Sequence, residues 1–502
     1  MSKLAVAARV GRRPLMIAAS ALLGLAFVSS AMAQEATTEE QLADIIGAVD
    51  TLWLMLAAFM VFLMQAGFAL VEAGFIRAKN ATNVLMKNVL DCCMGGLLFW
   101  AVGWGIAYGV SGEASNGFIG DGQFFLKAFP NDGYASWIFQ FAFAATAATI
   151  VSGAMAERTK FSAYLIYTAC ISGFIYPVVV HWGWDSNGWL TAFKDDPIGT
   201  NGYIDFAGSG IVHAVGGTAA LVGAFMVGPR LGKYGKDGTI NAIPGHNISI
   251  AVLGMFILWF GWYGFNPGST LALSGGFAAL AAKVAVTTTL SAVAGGAVAA
   301  LYTRARTGRY DLGLTVNGVL GGLVGITAGC SVVDPWAAIV IGAIASLIVI
   351  GGVALLDNLR IDDPVGAAPV HCFAGIWGVL AVGLFASQDG IGTAYAETDQ
   401  YGLLLGGGVE QLGIQALGIS AIVGWTAVTS FIMFGLIKMT IGLRVSEDEE
   451  IRGLDLYEHG IDAYPDFGPT GSGVFAPAGS AAATRAAEGT ATRPATAPGG
   501  GQ

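Results

Sequence analysis

Apolar residues run along this chain in long unbroken blocks, without the short alternation that marks the half-buried elements of a soluble protein. Eleven blocks can be read: 51–72, 84–110, 134–155, 161–183, 205–228, 247–266, 272–301, 313–331, 335–356, 367–388 and 411–442. A helix of about 20 residues, rising 1.5 Å per residue, crosses a hydrocarbon layer about 30 Å thick, and each block approaches or exceeds that length. The seventh is long enough to be tilted or broken. The pattern predicts an all-α polytopic membrane protein with 11 transmembrane helices.

Composition narrows the class. Of 502 residues, 55% are hydrophobic and 12% charged, too few polar groups to clothe so many apolar runs in water. The 74 glycines suit membrane helices whose backbones approach closely. The five cysteines (Cys92, Cys93, Cys170, Cys330 and Cys372) fall mostly inside apolar blocks with no metal-ligand spacing, and read as small buried side chains. No glycine-rich phosphate loop and no nucleophile–base constellation accompanies the blocks. Neither a cofactor, nucleic acid nor enzymatic chemistry is therefore expected.

Residues 1–33 have the form of a secretory signal peptide: Arg9, Arg12 and Arg13, an apolar core, then Ala31-Met32-Ala33. Its removal would leave the mature N-terminus outside, and eleven crossings would then place the C-terminus inside, as in a bacterial inner membrane. Charge tests this independently. The segments assigned inside hold fourteen basic residues, among them Arg77, Lys79, Lys87, Arg158, Arg230, Arg304, Arg360 and Arg444, while the outside loops hold only Lys127 and Lys194. That is the positive-inside bias of a membrane protein. The transmembrane region is assigned to 34–442, a charged cytoplasmic segment able to form a short helix to 443–467, and a disordered tail rich in Ala, Gly and Pro to 468–502.

Two Asp–His pairs share one spacing: Asp205 with His213, and Asp363 with His371. Spans 1–5 and 6–10 thus form two five-helix repeats, and an odd count inverts the second against the first, with the eleventh helix bracing the bundle. Inversion brings His213 and His371 toward the bilayer centre from opposite faces. A buried histidine can be neutral interhelical glue. Two at matched depth can instead share one proton between ring nitrogens and leave the others facing a pore. Either aspartate could be only a helix N-cap. Asp205, however, lies on the outer side with Trp184, the phenylalanines of Phe139-Gln140-Phe141-Ala142-Phe143, and the run from Gly261 through Trp262 and Phe265 to Ser269. A carboxylate, ring faces and a hydroxyl are what a small cation needs on shedding water. Glu72, Asp91 and Lys283, the other ionisable residues in the membrane zone, are expected to be paired structurally or to snorkel.

At these residues the chain resembles the Amt branch of the Amt/Mep/Rh ammonium transporters. The resemblance runs from about residue 45 to 467 and rests on GFALVEAGFIRAKN, FQFAFAATAATIVSGAMAER, DFAGSGIVHAVGG, WYGFNPGS, PVHCFAGIWG and GLRVSEDEEIRGLDLYEHG. It implies an outer ammonium site of Phe143, Trp184 and Ser269 supported by Asp205, a gate of Phe143 and Phe265, and a pore lined by His213, His371 and Trp262. It also implies a homotrimer in the lipid bilayer and regulation by a cytoplasmic PII-type protein. On this reading NH4+ is recruited outside and deprotonated, and NH3 crosses an apolar pore. The alternatives are an ammonium sensor signalling through the C-terminal segment and an Rh-like passive gas channel.

Overall fold

The computed structural model describes residues 37–111 and 116–465. The signal peptide and the tail beyond 467 lie outside the described residues. Two units divide the chain, Met1–Thr51 and Leu52–Gln502. In the described part of the first, Thr37 and Glu40 form a reciprocal cap: the Thr37 amide donates to Glu40 Oε2 at 2.7 Å, and the Glu40 amide to Thr37 Oγ1 at 3.2 Å. Everything that follows concerns the second unit.

Its spans are α1 (ending the helix Thr38–Phe75), α2 (Ala78–Tyr108), α3 (Gly133–Met155), α4 (Phe161–Trp184), α5 (Ser209–Val227), α6 (Ile248–Thr270), α7 (Phe277–Thr307), α8 (Leu312–Thr327), α9 (Pro335–Asn358), α10 (Ala368–Phe385) and α11 (Glu410–Thr440). Among the described residues no strand forms, only isolated bridges. The eleven expected helices are present. α7 is unbroken over 31 residues. α8, with 16 residues, covers about 24 Å and falls short of the bilayer. It tolerates this because Val316 through Thr327 are buried, apart from lipid, and tight turns continue the chain to Val333.

Large apolar side chains remain exposed on the faces that lipid would cover: Phe256 and Phe260 on α6, Leu301 on α7, Leu355 on α9, and Val428, Ile432 and Leu436 on α11. α7, α8 and α9 pack together as one group, and α11 packs on both α5 and α10. α11 also braces the turn before α5. Gln415 accepts the Ile204 amide at 2.9 Å and donates to the Ile204 carbonyl at 2.7 Å.

The repeat is more exact than the aspartate and histidine spacing alone showed. Asp205 accepts the amides of Gly208 and Gly210, at 3.0 and 2.9 Å, and Asp363 accepts those of Gly366 and Ala368, at 3.0 and 2.8 Å. Both patterns are i to i+3 and i to i+5. Gly208 and Gly366 both have positive φ, +107° and +76°, a conformation that costs glycine nothing. Each cap leads into a wide π turn, Ser209–Ala214 and Ala368–Phe373, that carries its histidine.

Asp205 and Asp363 stand in capping loops before their helices, the N-cap role open to either, so four residues of helix, about 6 Å, separate Ser209 from His213. One expectation is corrected. Lys87, counted with the inner loops, is a fully buried residue within α2. The other basic residues still gather at one end. There Arg230 bonds Asp362 at 2.8 Å and Glu157 at 3.1 Å, and Arg77 also pairs with Glu157. We call this the basic end, and the opposite one the aromatic end.

At the basic end the chain after α11 forms a short helix, Glu447–Arg452, opened by a capping box of Ser446 and Glu449. The segment is strapped to the bundle. Glu450, 1% exposed, bonds Arg444 and the Leu231 amide, both at 2.7 Å. Asp455 accepts the amides of Thr82 and Asn83 at the start of α2, and Glu458 accepts that of Phe161 at the start of α4. Carboxylates at helix N-termini are favourably placed against the helix dipoles.

Candidate ammonium site and pore

A cavity of about 360 Å³ opens at the aromatic end, lined by Phe143, Trp184 and Ser269 among others. Trp184 is fixed there because its indole N–H donates to the backbone carbonyl of Asp205 at 2.8 Å, and its ring lines the cavity. Ser269 donates its hydroxyl hydrogen to the Phe265 carbonyl at 2.7 Å, so its oxygen lone pairs remain to accept. Ring faces and a hydroxyl oxygen together form a surface that attracts a small cation through quadrupole and hydrogen bond.

The Asp205 carboxyl is not part of that lining. Its two oxygens take the amides of Gly208, Gly210 and Ile211, with the Tyr203 hydroxyl at 3.4 Å. It is 3% exposed. It supports the cavity indirectly, by holding the loop whose carbonyl anchors Trp184.

Beyond the cavity the rings form a continuous line. Phe143 stands edge-on to Trp184 at 5.8 Å and stacks on Phe265 at 4.0 Å between centroids, 20° from parallel. Both phenylalanines are fully buried, so the stack closes the floor of the cavity. Below it, His213 lies 5.3 Å from Phe265 and 5.1 Å from Trp262. The Nδ1 atoms of His213 and His371 are 3.2 Å apart. One ring must donate and the other accept, which a neutral pair satisfies with a single shared proton. His213 Nε2 is buried without a hydrogen-bond partner. Charging either ring would place an unpaired cation in the middle of an apolar bundle.

Trp184, Phe143, Phe265, His213 and His371 thus follow one another in ring contact, with Trp262 beside His213, Ser269 on the cavity wall and Asp205 in the adjoining loop. Sequence reasoning missed Phe68, whose ring is 5.9 Å from His371, and Thr327, which accepts the Trp262 indole N–H at 2.9 Å. It also missed Ser136 and Gln140 on the cavity wall. Those two were legible as polar positions one helical turn apart within an apolar block. Asp91 has the structural pairing expected of it, accepting Thr168 Oγ1 at 2.7 Å and the Tyr164 hydroxyl, and Lys283 donates to the Ser331 carbonyl at 3.1 Å.

Comparison with known proteins converges on one family. The model of the Ammonium Transporter Family matches residues 52–464. Ammonium transporter Amt2 of Archaeoglobus fulgidus is 47% identical over 430 residues, 84% of this chain and 89% of that protein. Ammonium transporter 1 member 1 of rice (Oryza sativa subsp. japonica) is 45% identical over 440 residues, 84% and 87% of the two chains. Among solved structures, one titled Sensor Amt Protein superposes with a TM-score of 0.74 at 38% identity, covering 83% of this chain and 100% of that one. Candida albicans Mep2 gives 0.73 at 28% identity, covering 84% and 92%. With the ring-lined path and a match across almost all the described helices, this multi-pass membrane protein belongs to the ammonium transporter family.

Proposed function

We propose that the protein recruits NH4+ in the aromatic-end cavity, removes its proton near the phenylalanine gate and Asp205, and conducts NH3 past His213 and His371. The observation that carries this reading is the unbroken line Trp184, Phe143, Phe265, His213, His371. Phe143, Trp184 and Ser269 bind the cation, Asp205 supports them from below, Phe143 and Phe265 gate, and Trp262 lines the pore with the histidines. Splitting the ion is favoured by magnitude. A charge at the bilayer centre costs at least about 2.5–3.5 kcal/mol, whereas neutral NH3 avoids most of that.

The same reading puts the aromatic end outside a bacterial inner membrane and the basic end in the cytoplasm. Residues 1–33 are a cleaved signal, 34–442 the transport domain, 443–467 a cytoplasmic regulatory segment and 468–502 a tail. Three copies assemble, each with its own pore, and a PII-type protein acts on the cytoplasmic face. The protein is a transporter and not an enzyme.

A sensor role is the second reading, favoured by the likeness to the Sensor Amt Protein and by the strapped C-terminal segment. Ammonium-evoked current in proteoliposomes, for wild type and Asp205→Ala, separates them. Current in the wild type that is lost in the variant supports electrogenic transport. Gas permeation without current favours a passive channel. Tight ammonium binding with neither flux nor current favours the sensor.

A further inference from the structure

The pore path described so far ends at His371, but a second, smaller chamber lies directly beneath it. This space, about 30 Å³, is lined by His371, Phe68 and Ile150 and by one carboxylate, Glu72. It has room for one to two waters, since a single water needs about 10–15 Å³ of such space. Asn317, Val365 and Gly366 line both this chamber and a vestibule of about 240 Å³ at the basic end, which also contains Asp363 and Asp311. The chamber therefore shares a wall with the vestibule and lies between the histidine pair and the basic end.

Glu72 borders that chamber without an ion-pair partner among the described residues. It is 3% exposed; Asn88 Nδ2 contacts it at 3.4 Å, and the Ser152 hydroxyl is a second neighbouring donor. Asn88 is itself occupied, donating to the Val84 carbonyl at 3.0 Å and accepting the Thr149 hydroxyl at 2.8 Å. Asp91, another carboxyl buried within α2, accepts from Tyr164 and Thr168 and lines neither chamber. A buried carboxyl that no ion pair holds, and that borders a water-sized space beneath a histidine, is placed to exchange a proton.

We propose that Glu72 is the proton acceptor on the basic-end side of the twin histidines. The proposal rests on the transport reading above. NH4+ parts into NH3 and a proton at the gate, and NH3 moves along the apolar pore. The proton is taken up at His213 Nε2 as the shared proton shifts from His213 Nδ1 to His371 Nδ1 and the His371 Nε2 proton leaves for the Glu72 carboxylate. The two rings then return to their starting tautomers before the next cycle. The neutral acid then releases it through the chamber, past Asn317, to water in the vestibule. There NH3 takes up a proton again. One nitrogen and one charge cross per cycle, and Glu72 returns to its starting state.

The test measures two quantities on the same proteoliposomes: ammonium-evoked current, and ammonia uptake read by an internal pH dye with the membrane potential clamped. Glu72→Gln keeps the side-chain volume and an acceptor for Asn88. It is expected to lower the current at least about tenfold while uptake of neutral ammonia stays within about twofold. Glu72→Asp restores part of the current. Asn317→Leu, which dries the exit without touching Glu72, is expected to lower current in the same way and keeps the proposal testable if Glu72→Gln does not fold. Unchanged current in Glu72→Gln overturns the proposal. So do current and uptake falling in parallel in folded protein, the sign of a structural role. Wild-type uptake without current also overturns it. Wild type that shows neither uptake nor current would defeat the transport reading first, a result distinct from a normal wild type with an indifferent Glu72 variant.

Discussion

Gly217 of α5 lies against the backbone of Cys372 in α10, so closely that a Cβ at Gly217 would stand 2.1 Å from the Cys372 nitrogen and 2.7 Å from the His371 carbonyl carbon. The obstruction is main chain, which cannot swing aside. The close crossing of α5 and α10 sets the 3.2 Å between the two histidines. Gly217→Ala is therefore expected to push the helices apart, destabilise the protein by roughly 1–3 kcal/mol and break the histidine pair. Thermal unfolding in detergent and ammonium uptake check this. An alanine variant with wild-type stability would show that the helices separate freely.

Removing both rings tests what the histidines exclude. His213→Ala with His371→Ala leaves a wider, wetter space, and alkali cations are expected to pass. If the barrier of about 2.5–3.5 kcal/mol for a central charge is relieved, potassium leak rises by up to about 70- to 400-fold. Potassium efflux from loaded vesicles measures it. Unchanged selectivity would contradict the role of the pair in splitting the ion.

Asp205 and Asp363 make matching caps, so their local contributions to stability are expected to match. Asp205→Asn and Asp363→Asn each weaken a charge-assisted cap, at about 1.5–3 kcal/mol. Transport is expected to divide them. Only the Asp205 loop anchors Trp184, so Asp205→Asn lowers ammonium uptake by roughly tenfold or more and Asp363→Asn leaves it within about threefold. Equal transport defects would reduce both residues to capping.

The basic-end cluster predicts a pH signature. Burial alone would raise the Asp362 carboxyl, but the Arg230 hydrogen bonds and the Arg158 charge hold it down at about 2. A depressed carboxyl stabilises the fold above its unfolded value of about 3.9, and that contribution is lost as pH falls through about 2. Between pH 5 and 8 it is constant. Arg230→Gln removes the partner of a buried charge and is expected to cost roughly 3–5 kcal/mol at pH 7. Below about 3.9 the unfolded chain takes up a proton that the wild-type fold resists until about 2, so the gap between the two proteins narrows as pH falls from about 4 to about 2. A gap independent of pH would mean that the pair does not carry the effect.

Much of this was legible in the order of residues. Block lengths specify eleven helices because the bilayer sets a minimum apolar length, and the constant offset between Asp205–His213 and Asp363–His371 reveals the duplication. Trp184, Phe143, Phe265 and Ser269 could be nominated because aromatic and hydroxyl groups at one end of the blocks are unusual enough to notice. Capping was one role open to either aspartate, and the glycine three residues on, Gly208 or Gly366, shows how each loop closes.

Tertiary structure alone decided the rest. Helical periodicity does not say which faces meet, so the stacking of Phe143 on Phe265 and the Nδ1-to-Nδ1 approach of the histidines depend on helix crossings set by small residues such as Gly217. It also separated two uses of one residue type. Asp205 was nominated for the site, yet its carboxyl is spent on amides of its own loop, while Glu72, read as structural, borders the chamber beneath His371. A sequence records that a carboxylate enters the membrane. Whether it is satisfied there depends on neighbours brought together from different helices, and only the folded chain supplies those.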